Sequence, residues 1–120
     1  MDQSDRIRGS GILCCHCVSN VAYYKAGWHE GSLRKDTNFW RGVNSNFLDV
    51  AVLEWCKLFA DPKAKHHWKK VVSNPEAFWE SLLQKLGQEE VYFGSYCKQM
   101  RVYRDKFLAH LDAERTMQIP

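Results

Sequence analysis

Proline is scarce in this 120-residue chain, with three in all, and glycine is limited to seven. No apolar run approaches the roughly 18 residues that a membrane span requires, so an integral helix is excluded and no membrane partner is expected. A large net charge is missing too. Seventeen Lys and Arg against 14 Asp and Glu leave +3, too mild to mark a nucleic-acid binder by itself. The start, Met-Asp-Gln-Ser-Asp-Arg, lacks an apolar stretch, which argues against a secretory signal and predicts a cytoplasmic protein. The cysteines number five, an odd count that fits poorly with a disulfide framework. Cys14-Cys15-His16-Cys17 has the look of metal ligands, but a structural zinc site wants four, normally as two separated pairs. No second Cys-x2-Cys pair exists, Cys56 and Cys97 stand alone, and only His66 and His67 are left to complete a set. The sequence therefore predicts no metal and no cofactor, and reads these cysteines as small buried residues of a helix.

What is present is an ordinary core-forming composition, with 45% hydrophobic and 26% charged residues, enough for one domain. Apolar residues recur at three and four positions rather than at two, which predicts an all-α protein. Residues 1–11 are polar and end in Gly-Ser-Gly, so they read as a flexible N-terminal segment ahead of a single domain over 12–120. A first helix is predicted from Ile12 to Trp28, and a second from Asn38 to Phe59 with Trp40, Val43, Phe47, Val50, Ala51 and Leu58 on one face. Asp61-Pro62 and Asn74-Pro75 each place a capping side chain before a proline, predicting helix starts there, and Gly87 closes the second of these helices. The last helix is expected from Glu89 to about Leu111. Three long and about two shorter helices make an antiparallel helical bundle.

The final helix carries the residues of most chemical interest. At about 100° per residue, Tyr96, Met100, Tyr103, Phe107 and His110 fall within an arc of about 80°. His110 thus continues the apolar stripe toward the core or a partner. Arg104 lies about 120° around from it and about 9 Å along the axis, at the stripe's border. Asp105 points away, and its plainest role is an exposed ion pair with Arg101 or Lys98. On the second helix, Glu54 sits inside an apolar arc where an unpaired carboxylate is costly, so a partner is expected, Arg104 being the first choice. The alternative is that Glu54 reaches out to solvent. Lys57, Lys63, Lys65, Lys69 and Lys70 cluster with only Asp61 against them, with His66, His67 and Trp68 among them. A second basic run holds Lys98, Arg101, Arg104 and Lys106. Such runs are commonly no more than solvated faces.

The run Tyr103-Arg104-Asp105-Lys106-Phe107-Leu108-Ala109-His110-Leu111-Asp112 resembles the Arg-polar-x4-His signature of the HEPN superfamily, in the Arg-Asp-Lys-x-x-Ala-His form found in members grouped with abortive-infection systems. The match covers about ten residues, and a long final helix after several others fits the family's all-helical bundle. The resemblance implies a metal-independent endoribonuclease of a defence or toxin–antitoxin system, acting as a homodimer in which two copies of the Arg and His meet in one cleft. In toxins of this family a tyrosine two residues after the histidine is modified by a partner antitoxin. Here Asp112 stands at that position, which favours a different regulatory partner or none.

The chemistry beside the resemblance is coherent. RNA cleavage by its own 2′-hydroxyl needs a base of near-neutral pKa and a cation at the phosphate, and it leaves a 2′,3′-cyclic phosphate. His110 suits general acid–base work and Arg104 suits bidentate phosphate binding, with Asp105 a third candidate. Their separation on one helix calls for two-fold pairing to bring the groups together. Lys63, Lys65, Lys69, Lys70 and Lys106 are candidates to guide RNA, with Trp68 as a base-stacking surface. The competing reading is a non-catalytic helical interaction module that binds a protein, a nucleotide or nucleic acid, since membership of a fold family does not establish catalysis.

Overall fold

The computed structural model describes residues 2–108. The chain is an all-α helical bundle with one small hairpin. Its first helix, α1 (Gln3–Ala26), starts nine residues earlier than the sequence leads one to expect. Residues 1–11, read as a flexible segment, are helical from Gln3 onward. Two local causes account for this correction. Asp2 caps the helix by accepting from the Asp5 amide at 2.8 Å. The first turns also dock: the Gln3 amide donates to the Val71 carbonyl, and Ser10 Oγ donates to the His66 carbonyl at 3.2 Å. Gly9 permits that approach, because a Cβ there would lie 2.5 Å from Cε1 of His66. The glycine that reads as linker is a contact point, and tertiary contact outweighs its poor helix propensity.

Helix α1 ends at Gly27 and leads into a hairpin of β1 (Trp28–His29) and β2 (Ser32–Leu33), with Trp28 opposite Leu33 and His29 opposite Ser32. Glu30 and Gly31 turn the chain with φ of 48° and 83°, the pair of positive values that a two-residue hairpin turn of type I′ uses. Thr37 then caps α2 (Asn38–Trp55), accepting from the Trp40 amide at 3.3 Å. This helix continues as a π-helical turn over Cys56–Ala60, so helical structure runs to within a residue of the expected end.

Contacts between α1 and α2 run antiparallel, with Tyr23 against Phe47 (ring centroids 5.3 Å apart) and Cys17 Sγ at 3.5 Å from the Ala51 carbonyl. After Asp61 the expected helix of lysines and histidines is replaced by turns. Only α3 (Trp68–Val71) is helical, capped by His67. The Asp61 carboxylate here accepts from the Lys63 amide at 3.3 Å, closing a local turn where a cap was expected. Helix α4 (Pro75–Leu86) follows the sequence reading closely: Asn74 accepts from the Ala77 amide at 3.2 Å and Gly87 closes it with φ 64°. Helix α5 (Glu90–Tyr103) returns along α2 and passes into a second π-helical turn, Arg104–Leu108.

The core lies between α2 and α5, where Val52, Cys56 and Ala60 are buried and Leu48, Trp55, Cys97, Met100 and Tyr103 pack on them. An aromatic cluster extends it. Trp55 meets Tyr96 edge-on at 5.3 Å, and Trp79 meets Phe93 at 5.2 Å. Trp68 is only 7% exposed and stacks on Trp79 at 5.4 Å with the rings 3° from parallel.

Candidate functional site

Arg104 is the first residue of the π-helical turn that follows α5. Wider turns of this kind displace side chains from the 100° spacing of an α-helix and recur at functional sites. That displacement explains why Asp105 does not meet Arg101 or Lys98 as expected. Its Oδ1 instead accepts from the adjacent Arg104 Nε at 3.0 Å. A second carboxylate, Asp61, lies 3.8 Å from Arg104 Nη1 and comes from the end of the other π-helical turn. The two irregular turns therefore meet at one guanidinium, whose side chain is 25% exposed. The hydrogen bond that Arg104 donates to Asp105, the largest cause, and the fields of Asp105 and Asp61 push the Arg104 pKa further up.

Neighbouring residues fix this position. Tyr103 OH donates to Asp49 Oδ1 at 3.1 Å, and Arg101 Nη1 donates to the Ala60 carbonyl at 3.1 Å. Met100 and Tyr103 pack against the core while the fully buried Cys56 lies within the field of Arg104. His110, the intended companion of Arg104, lies outside the described residues, as do Ala109, Leu111 and Asp112.

Other sequence candidates are placed elsewhere. Glu54 is buried, at 8% exposure, as the apolar arc implies, but its partner is not Arg104. Its Oε1 accepts from Asn20 Nδ2 at 2.7 Å and its Oε2 lies 3.7 Å from His16 Nδ1. The carboxylate faces α1, whereas Arg104 leaves α5 toward Asp61. Trp68 is also corrected: packed against Trp79, Phe78 and His67, it is 7% exposed and keeps little surface for stacking on a base. Lys69 Nζ lies 5.6 Å above its ring, and Lys70 Nζ donates to the Lys63 carbonyl at 3.0 Å. Lys63, Lys65 and Lys106 are exposed.

His67 is a core histidine whose Nδ1 accepts from the Lys69 amide at 3.2 Å and whose Nε2 lies 3.3 Å from the Phe59 carbonyl. Burial pushes its pKa down. Among the cysteines, Cys17 and Cys56 are buried and Cys97 is half-buried, and burial raises the thiol pKa values of all three and of Cys14. Cys14 and Cys15 are exposed, contrary to the expectation of burial. Among the described residues, no group of three His, Cys, Asp or Glu side chains is placed to hold a metal ion.

Asp61 is the site residue that the sequence misassigns, since a proline after it signals a cap. Asn20, which carries Glu54, gives no sequence signal at all. Among the described residues, no helix is long and apolar enough to cross a membrane. No protein-family model matches the chain, and no curated protein or solved structure matches it.

Proposed function

We propose that the chain is a metal-independent endoribonuclease domain of HEPN type, belonging to a cytoplasmic defence or toxin–antitoxin system and acting as a homodimer. Arg104 binds the scissile phosphate, His110 serves as general acid or base, and Asp105 positions Arg104. The observation that carries this reading is the presentation of Arg104: a guanidinium at the surface, oriented by Asp105 and Asp61 at the meeting of two π-helical turns. Two carboxylates face its single charge at rest. An arriving phosphate can take the place of the more distant carboxylate, Asp61, and use the planar fork of the guanidinium. General acid–base work then falls to the histidine six residues on, in the partner copy or the same one. Exposed Lys63, Lys65, Lys69 and Lys106 supply a diffuse positive field for the strand.

The test is expression in a bacterial host. Wild-type chain should arrest growth, and Arg104→Ala or His110→Ala should relieve the arrest at equal levels of folded protein. Arrest that persists in both variants would contradict the reading. A non-catalytic interaction module is favoured by a different observation, the exposure of Val91 (82%) and Tyr92 on the first turn of α5, an apolar pair suited to contact with another protein.

A further inference from the structure

A cleft of about 440 Å³ opens between α1 and the 61–67 segment. His16, Lys57, Lys65 and His66 line it, with Asp61 as its one carboxylate. That carboxylate is already engaged, since Asp61 Oδ2 faces Arg104 at 3.8 Å. Asp61 is thus the common wall between this cleft and the guanidinium of the proposed active site.

The remaining lining joins an apolar part, Gly9, Ile12, Leu13 and Ala64, to two lysines that have no carboxylate of their own in the cleft. Lys65 and Lys57 are both near enough to act on the His66 ring, adding to the desolvation that already lowers its pKa. His66 Nδ1 is buried without a hydrogen-bond partner among the described residues. His16 stands on α1 with Nδ1 toward the buried carboxylate of Glu54 at 3.7 Å, so that carboxylate is faced by the ring and does not turn into the cleft. Asn20 also donates to Glu54, at 2.7 Å. Two lysines on one concave wall create a positive field that an anion relieves.

We infer that this cleft binds a backbone phosphate of single-stranded RNA through Lys57 and Lys65, and leads the strand past Asp61 to Arg104. The inference rests on the ribonuclease reading and names the path of its substrate. It moves RNA guidance from the Trp68 surface to the opposite side of the 61–71 segment, where α1 docks.

The experiment measures binding of a fluorescent 2′-O-methyl oligoribonucleotide, which cannot be cut, in EDTA at several salt concentrations. Lys57→Ala combined with Lys65→Ala, both exposed and so tolerated by the fold, should weaken binding about tenfold at about 50 mM salt. The slope of log affinity against log salt should fall by about 1.4, or about 0.7 for each lost contact to a single strand. Lys25→Ala combined with Lys85→Ala removes the same charge elsewhere and should bind within twofold of wild type. Equal binding by the cleft variant, or an equal loss in the control, overturns the inference. So does stabilisation of the protein by inorganic phosphate with no binding of the oligonucleotide. Wild type that binds as expected yet leaves ordinary RNA intact refutes the ribonuclease reading and keeps the cleft. Wild type that cuts RNA, with the cleft variant binding and cutting equally well, refutes the cleft alone.

Discussion

Replacing Trp68 with alanine removes an indole that lies 7% exposed between the α4 aromatics and the bundle. Such a side chain buries about 200 Å², which at about 25 cal/mol per Å² amounts to roughly 5 kcal/mol. Alanine recovers part of that, and the cavity it leaves adds a penalty, so the expected loss is about 4 kcal/mol, within the usual range for such truncations. A domain of this size has only about 5–15 kcal/mol to lose. Equilibrium urea unfolding, followed by far-UV circular dichroism, should therefore show a large fall in midpoint, or outright unfolding, for Trp68→Ala. Trp68→Leu, which fills more of the space, should lose less and retain RNA affinity. A base-stacking role would instead cost about 1–3 kcal/mol of binding for each stacked base. A Trp68→Ala protein within about 1 kcal/mol of wild type would refute the burial argument.

Other substitutions test separate parts of the structure. Glu54→Ala removes the acceptor of the half-buried Asn20 amide and should destabilise by about 1 kcal/mol in the same urea assay, while Glu54→Gln retains an acceptor and should cost less. Neither should alter RNA cleavage if Arg104 is held by Asp105 and Asp61. Gly42→Ala should raise the melting temperature by about 3–6 °C, since its Cβ meets nothing within 4 Å, and Gly9→Ala should lower it by forcing His66 aside. Burial holds the folded pKa values of His67 and His66 below the ordinary 6.5 of a free imidazole, so the unfolded chain binds more protons as the pH falls through and below that value. Stability from this source is complete above pH 6.5 and declines toward acid, and thermal melts between pH 7.5 and 5 should show the decline, lessened in His67→Gln. Thiol titration of the native protein should find Cys15 fastest, Cys14 and Cys97 slower, and the buried Cys17 and Cys56 unreactive until unfolding.

The helical character, α4 and the span of the second helix were all legible, because a periodic stripe, a capping asparagine before a proline and a left-handed glycine are local signals. The start of α1 was not. Nothing near Gly9 announces that His66, far along the chain, will lie against it. The same limit applies to Glu54: its burial follows from its place in an apolar arc, but Asn20 and His16 are partners only once α1 packs antiparallel on α2. Arg104 stood out through its motif. Its pairing with Asp105 escaped a reading based on α-helical spacing because the backbone widens at that residue. Trp68 misled for a related reason, as a tryptophan among lysines looks like a surface for bases until the α4 aromatics are seen to cover it.

The most direct test of the account uses purified wild-type, Arg104→Ala and His110→Ala chains with mixed cellular RNA in EDTA, reading fragments and the chemistry of their ends. Wild type should cut and leave 2′,3′-cyclic phosphates while both variants, equally folded, leave the RNA intact. Intact RNA with a folded wild-type dimer, or equal cutting by all three chains, would contradict it.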